Sequence, residues 1–174
     1  MPAFRALHSE ANGAGWCRCV AWWVPTWDGW GERTAEENDA LRRALCARGE
    51  HDGLLAFDGD EPVGWAQVGA RDRLAKLVAQ LERPPDPGTW AITCLLVAPA
   101  RRRQGVARSL VAAAVHHARA AGADRIEAYP RSGDAVEDSD AWTGTESLFA
   151  RAGFALVRAG TPRSVVALEL LPRA

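Results

Sequence analysis

The sequence predicts an α+β domain in which helices flank one mixed, mostly antiparallel sheet with a single parallel step in its middle. Three observations carry this. The apolar runs "GLLAF" and "PVGWAQVGA" are joined by "DGDE", the Asp-Gly signal of a β-hairpin. "TWAITCLLV" and "DRIEAYP" are separated by a loop and the helix-length stretch "RSLVAAAVHHARAAG". A strand, a crossover helix and a second strand imply parallel neighbours, because a parallel pair needs a long connection. "FALVRAG" and "RSVVALEL" end the chain as a second hairpin-like pair. The 174 residues amount to one domain's worth of core, so residues 1–174 are expected to form one unit.

The elements follow in order. "GWCRCVAWWV", rich in aromatics and Val, predicts a strand with Cys17 and Cys19 on one face, followed by the loop "PTWDGWG". Thr34 with Glu37 three residues on has capping-box spacing and Gly49 is a stop, which predicts a helix from about 35 to 48. After the hairpin, Leu74, Leu77, Val78 and Leu81 recur at helical spacing until "PPDPG" breaks the pattern. On the helix beginning near Val106, residues Ala107, Leu110, Val111, Ala114, Ala118 and Ala121 make the apolar stripe; His116 points away from it and His117 lies at its edge. "RSGDAVEDSDAW" reads as an acidic loop and "TGTESLFARAGF" as a short helix ending at Gly153.

Composition excludes several classes. The net charge of −1 argues against coating a nucleic acid, which needs a broad basic face, so the run of three arginines at 101–103 is a local feature. No window approaches eighteen uninterrupted apolar residues and no signal-peptide pattern opens the chain, so no membrane association and a cytoplasmic location are expected. Cys17, Cys19, Cys46 and Cys94 lack zinc-ligand spacing, and small reduced thiols without a metal are the expectation.

"RRRQGVA" stands where the strand hands over to the helix. A helix N-terminus carries unpaired N–H groups and partial positive charge, Gly105 leaves its backbone approachable, Ala107 keeps the first turn slim, and arginines offer forked donors to phosphate oxygens. Read from these residues alone, an anion site and an arginine-rich surface turn both stand open. The loop fits neither a Walker A loop nor a Rossmann fingerprint.

The run Arg102-Arg103-Gln104-Gly105-Val106-Ala107 resembles the [Q/R]-x-x-G-x-[G/A] pyrophosphate loop of the GNAT superfamily of acyl-coenzyme A-dependent N-acyltransferases, placed between strand and helix as in that family. "LLAFDGDEPVGWAQV" resembles the family's second and third strands, and "SLFARAGF" the helix that closes on a Gly-Phe pair. The resemblance implies a GNAT fold, with a parallel pair (the family's fourth and fifth strands) that splays apart, and acetyl-coenzyme A as acyl donor. It implies that Leu95 and Val97 offer backbone hydrogen bonds to pantetheine. It also implies that the loop from Arg102 through Arg103, Gln104, Gly105, Val106 and Ala107 to Arg108 holds the pyrophosphate. The implied reaction is direct attack of an amine on the thioester, with a base for the amine proton and an acid for the leaving thiolate.

The catalytic groups depart from the family. Phe149 stands where many members have the general-acid Tyr, and "WAITCLLV" carries no base carboxylate. Tyr129, the only tyrosine, and Glu127, two residues earlier on the same strand face, are the candidate acid and base. A strand-end ring packing beside a surface carboxylate would look the same. The expected acceptor is a small-molecule or peptide amine. Asp134, Glu137, Asp138 and Asp140 would draw in a cation, whereas Trp16, Trp22, Trp23, Trp27 and Trp30 suit an amphipathic or ring-bearing acceptor and would serve equally for core packing or a homodimer face. The missing Tyr and carboxylate leave a second reading, a module that binds acyl-coenzyme A without turning it over.

Overall fold

A six-stranded sheet in the order β1-β2-β3-β4-β6-β5 organises the chain. Its strands are β1 (Gly53–Asp58), β2 (Glu61–Ala70), β3 (Thr89–Val97), β4 (Arg125–Ala128), β5 (Ala155–Arg158) and β6 (Val165–Glu169). The helices are α1 (Pro2–Leu7), α2 (Ala35–Ala47), α3 (Ala75–Gln80), α4 (Val106–Ala120) and α5 (Glu146–Arg151). The structure, a computed structural model, describes residues 2–9, 15–132 and 141–170. The acidic residues Asp134, Glu137, Asp138 and Asp140 lie outside them.

Among the described strands β3 and β4 are the one parallel pair, and the other strand pairs are antiparallel. They correspond to the fourth and fifth strands expected from the sequence, because the first expected strand does not form. Residues 15–24 are tight turns instead, with Val20 N donating to Cys17 O and Trp23 N to Val20 O. Arg18 at φ 47° and Cys19 at φ 54° are left-handed and cannot continue a strand. Burial is continuous from Cys19 to Trp22, where a half-buried strand would alternate, so the apolar run is spent on packing into two clusters rather than on a ladder.

α2 starts as its capping box dictates. Glu37 N donates to Thr34 Oγ1 at 3.2 Å and Thr34 N to Glu37 Oε2 at 2.8 Å. α3 is shorter than its leucine pattern suggests. Residues 71–73 form a 3₁₀ turn and Leu74 is non-helical, because Arg71 turns inward, 1% exposed, to reach Asp72, Glu127 and the Pro84 carbonyl.

The main core lies between one sheet face and α4. Leu110, Val111, Ala114, Val115 and Ala118 of α4 are buried there, and Ala121, expected in the stripe, is exposed at the C-cap. Gly64 permits the close approach, since a Cβ on it would stand 2.8 Å from Val106 Cγ1 and 2.9 Å from Leu110 Cδ1. α1, α3 and the 15–24 turns contribute the smaller clusters that contain Trp65, Cys94, Ala91 and Tyr129.

The parallel ladder stops at Ile92 and Ala128, while β3 runs on to Val97. Thr93 is skipped in the β2 register, which passes from Gln67–Cys94 to Val68–Ile92, and such a bulge bends a strand. The fork between β3 and β4 therefore opens at Thr93.

Candidate active site

After β3 the arginine run forms a 3₁₀ turn, Pro99–Arg101, and then steps into α4. Arg103 (φ 62°) and Gly105 (φ 89°) are both left-handed, and Gly105 is the N-cap of α4 without any side-chain cap. The first amides of α4 thus lack intrahelical partners. A Cβ at Gly105 would meet nothing within 4 Å, so the approach to this helix end is open. Arg102, Arg103, Gln104 and Arg108 are exposed, Val106 and Ala107 half-buried. Gln104 Nε2 donates to Ala100 O at 3.0 Å, which folds its side chain back onto the loop. Arg101 is committed elsewhere, bonded to Asp58 at 2.9 Å and Glu61 at 2.8 Å of the β1–β2 hairpin.

β3 leads from this loop to the fork. Leu95 buries its side chain in the main core and Val97 is half-buried near the loop. The β3 edge from Thr93 onward has no β4 partner, so a ligand could lie along it. Trp22 Nε1 donates to Thr93 O at 3.4 Å, placing an indole at the point where the strands part.

A cavity of about 240 Å³ lies beside this stretch of β3. Cys94, Leu95 and Leu96 form one side; Trp16, Trp22, Trp27, Trp30 and Trp142 form most of the rest, with His8, Cys17, Cys19 and Gln67 as its polar members. Thr93 Oγ1 donates to Gln67 Oε1 at 2.6 Å and fixes that amide. His8 Nδ1 faces the Phe4 carbonyl at 3.1 Å and must donate to it, so Nε2 is the acceptor toward Cys19 Sγ at 3.0 Å. Burial above all lowers the His8 pKa to about 3, leaving a neutral imidazole. Cys19 Sγ is also 3.1 Å from Cys94 Sγ, and burial pushes its thiol well above the usual range. The half-exposed Cys17 is brought down to about 7, chiefly by its hydrogen bond with Cys19. A larger cavity, about 350 Å³, shares Trp22 with the first and is otherwise lined by Gln80, Leu81 and residues 158–163; it touches neither β3 nor the arginine loop.

Tyr129 and Glu127 are brought together at the fork: the Tyr129 hydroxyl donates to Glu127 Oε2 at 2.9 Å. Both side chains are fully buried, and neither lines the tryptophan cavity. Arg71 Nη1 is 3.4 Å from Glu127 Oε2, while Arg83 Nη2 and Arg125 Nε lie 2.7 and 3.2 Å from Oε1, so both carboxylate oxygens are engaged. Burial, then the neighbouring Glu127, raises the Tyr129 pKa well above the usual phenol value. Phe149 is buried in the main core beside Phe154, with ring centroids 5.2 Å apart.

The chain matches the Acetyltransferase (GNAT) family over residues 16–138, well over half its length. It belongs to the GNAT acetyltransferase family. Solved structures place this GNAT protein among similar folds. YncA, a putative acetyltransferase from Salmonella typhimurium described with its cofactor acetyl-CoA, is 19% identical, with 99% of this chain and 91% of that one covered at a TM-score of 0.60. An acetyltransferase from Thermus thermophilus is 17% identical over 97% and 90%, TM-score 0.59. A ribosomal-protein-alanine N-acetyltransferase from Brucella melitensis is 17% identical over 95% and 92%, TM-score 0.56. These likenesses concern the fold. None of the curated proteins compared matches this GNAT protein significantly. Among its described residues, no helix is long and apolar enough to cross a membrane.

Sequence reasoning expected Trp16, Trp22, Trp23, Trp27 and Trp30 on the acceptor side; all but Trp23, which stacks on His51, line this cavity, and Trp142, Gln67 and His8 were missed as cavity residues. Gln67 had a local signal, a polar side chain amid the apolar run of β2. Trp142 and His8 had none, since only the fold brings them to β3.

Proposed function

We propose that the protein is an acetyl-coenzyme A-dependent N-acetyltransferase that acetylates a primary amine of a small molecule or peptide by direct attack. The observation that carries this reading is the alignment of the glycine-opened N-terminus of α4, the β3 edge beyond its last β4 partner and the cavity beside Cys94–Leu96 along one strand. The open space over Gly105 and the exposed arginines around it suit a pyrophosphate, and the β3 edge suits an extended amide-bearing arm.

Arg102, Arg103, Gln104, Gly105, Val106, Ala107 and Arg108 would hold the pyrophosphate through α4 amides and guanidinium groups, and the Leu95 and Val97 backbones the pantetheine. Acetyl-coenzyme A, when bound, supplies an acetyl group activated as a thioester. The apolar walls of the cavity exclude water and favour the neutral amine, the form that attacks. Gln67, fixed by Thr93, is positioned to orient a polar group in the cavity. The proton to the departing thiolate is assigned to Tyr129, with Glu127 as its partner and the base. The 2.9 Å bond and their place at the fork support the pair, and the engaged carboxylate oxygens mean that the fork must loosen for Glu127 to act.

The test is thiol release from acetyl-coenzyme A with a panel of amines, together with a melting curve with and without the coenzyme. Ligand bound only by the folded state raises the melting temperature by mass action. A shift with no turnover on any amine would favour the second reading, a non-catalytic acyl-coenzyme A-binding module, which the replacement of the expected Tyr by the core residue Phe149 favours. No shift and no turnover would remove both.

A further inference from the structure

The five cavity tryptophans form a continuous chain of ring contacts. Trp16 and Trp30 have centroids 4.9 Å apart, Trp30 and Trp27 6.2 Å, Trp27 and Trp22 5.4 Å, and Trp22 and Trp142 5.9 Å. The Trp22–Trp27 and Trp27–Trp30 pairs meet edge to face, at 71° and 82°, and the other two are tilted. Such a wall presents both faces and edges to anything inside it. Core packing alone does not account for it, since Trp16 and Trp27 are 39% and 38% exposed. Large rings left that open around a concave space mark a surface meant to be covered by a ligand.

The polarity of the space narrows what that ligand is. Among the described residues no Asp or Glu lines the cavity, so none of them offers a counter-charge to repay the water that a polyamine would shed on entering it. Lys76 Nζ already stands over the Trp27 ring, 3.4 Å from its centroid, and lies 5.7 and 5.9 Å from those of Trp30 and Trp22. The same rings therefore have less attraction left for a second cation, and the like charge repels it. At about 240 Å³ the space is just below the range typical of drug-sized ligands, which fits a small compound. One side is β3 at Cys94–Leu96, where the acetyl group would lie.

We propose that the wall of Trp16, Trp30, Trp27, Trp22 and Trp142 is the acceptor-recognition surface and selects a primary amine carried on a flat aromatic ring, a reading that rests on the acetyltransferase activity proposed above. The ring stacks within the tryptophans while the short amine-bearing arm points to β3. Trp16 and Trp30, at the open end of the chain of rings, set specificity without touching the coenzyme site.

The experiment compares 2-phenylethylamine and tryptamine with spermidine and an alanyl peptide as acceptors. The aromatic amines are expected to have kcat/KM at least about tenfold higher. Trp30→Ala should raise KM for 2-phenylethylamine about tenfold with KM for acetyl-coenzyme A unmoved, and Trp30→Phe, which keeps a ring, should restore most of the loss. Trp16→Ala removes an exposed ring and gives the same readout without threatening the fold. A second arm needs no turnover: calorimetric titration of 2-phenylethylamine into protein saturated with coenzyme A. Saturable binding that Trp30→Ala abolishes upholds the recognition surface even if no amine is acetylated, in which case the acetyltransferase reading alone fails. Preference for spermidine or the peptide, equal effects of Trp30→Ala on all acceptors, or no saturable binding of the aromatic amine overturns the proposal.

Discussion

The Tyr129 hydroxyl donates to Glu127 Oε2 at 2.9 Å, at the point where β3 and β4 separate. The carboxylate is fully buried beside Arg125, and the phenol is one of three groups, with Arg71 and Arg83, that hydrogen-bond it. Removing a donor to a buried charged acceptor costs about 1–3 kcal/mol. Tyr129→Phe should therefore destabilise the fold by that amount, measured by urea unfolding. Its kcat tests the acid: proton transfer by a placed side chain is worth about 10²–10⁴-fold, so a fall in that range assigns the proton to Tyr129. An unchanged kcat in the destabilised variant would leave the tyrosine a structural partner of Glu127.

Two buried histidines set an acid limit on stability. Burial is the largest cause lowering His8 to about 3 and His51 to about 4, and the Arg42 guanidinium adds to both. Each folded value lies below that of the unfolded chain, about 6.5, so on acidification the unfolded state takes up protons first. The stability contributed by burying neutral rings is fully present above about pH 6.5 and is lost as the pH falls toward 4 and then 3. The slope approaches about 1.4 kcal/mol per pH unit for each ring. Urea unfolding between pH 7.5 and 5.5, before most carboxylates titrate, should show this decline. His8→Asn, which keeps a donor for the Phe4 carbonyl, should remove about half of it.

Cys17 should be the cavity's reactive thiol. It is half-exposed and held down to about 7, chiefly by its hydrogen bond with Cys19, whereas Cys19 and Cys94 are buried. Alkylation rate follows the thiolate fraction, so iodoacetamide labelling of the Cys17 peptide should rise with a midpoint near pH 7, followed by mass spectrometry. A midpoint in the ordinary thiol range, about 8.5, would mean that the contact with Cys19 does not hold the thiol down. An aromatic amine in the tryptophan cavity should slow the labelling.

How much of this was legible in the sequence depended on how local each cause was. The capping box of α2, the Asp-Gly hairpin and the β3–α4–β4 crossover rest on residues close in the chain, and they folded as read. The strand expected at 15–24 failed because its aromatic and apolar residues are claimed by distant partners: Trp22 by Thr93, and Cys19 by His8 and Cys94. Glu127 and Tyr129 were read as neighbours on one strand face; Tyr129 lies just past the end of β4, and the two side chains hydrogen-bond. Nothing near them in sequence revealed that Arg71 and Arg83 would close over the carboxylate. The arginine loop was legible as a local motif, but Arg101's commitment to Asp58 and Glu61 required the hairpin to be folded beside it.

Gly105 and Arg103 separate the backbone's part in coenzyme binding from that of charge. Both are left-handed, at φ 89° and 62°, and no atom stands within 4 Å of where a Cβ on Gly105 would sit. Gly105→Val therefore meets no clash within the protein and pays for its dihedral, about 1–2 kcal/mol of stability for a β-branched residue in that region. Its methyl groups would occupy the open approach to the α4 amides, so coenzyme A affinity should fall at least about tenfold, well beyond the stability effect. Arg103→Ala removes one exposed charge that Arg102 and Arg108 can partly replace, and a screened surface contact is worth about 0–1 kcal/mol, so the expected loss is about fivefold or less. Arg103→Gly loses the same charge but relieves the strained φ, so it should bind like Arg103→Ala and melt higher than it. Titration calorimetry with coenzyme A, with circular dichroism to show that each variant is folded, measures all three. If Gly105→Val and Arg103→Ala cost the same small amount, the α4 amides are not the pyrophosphate site, and the coenzyme must be held elsewhere on β3.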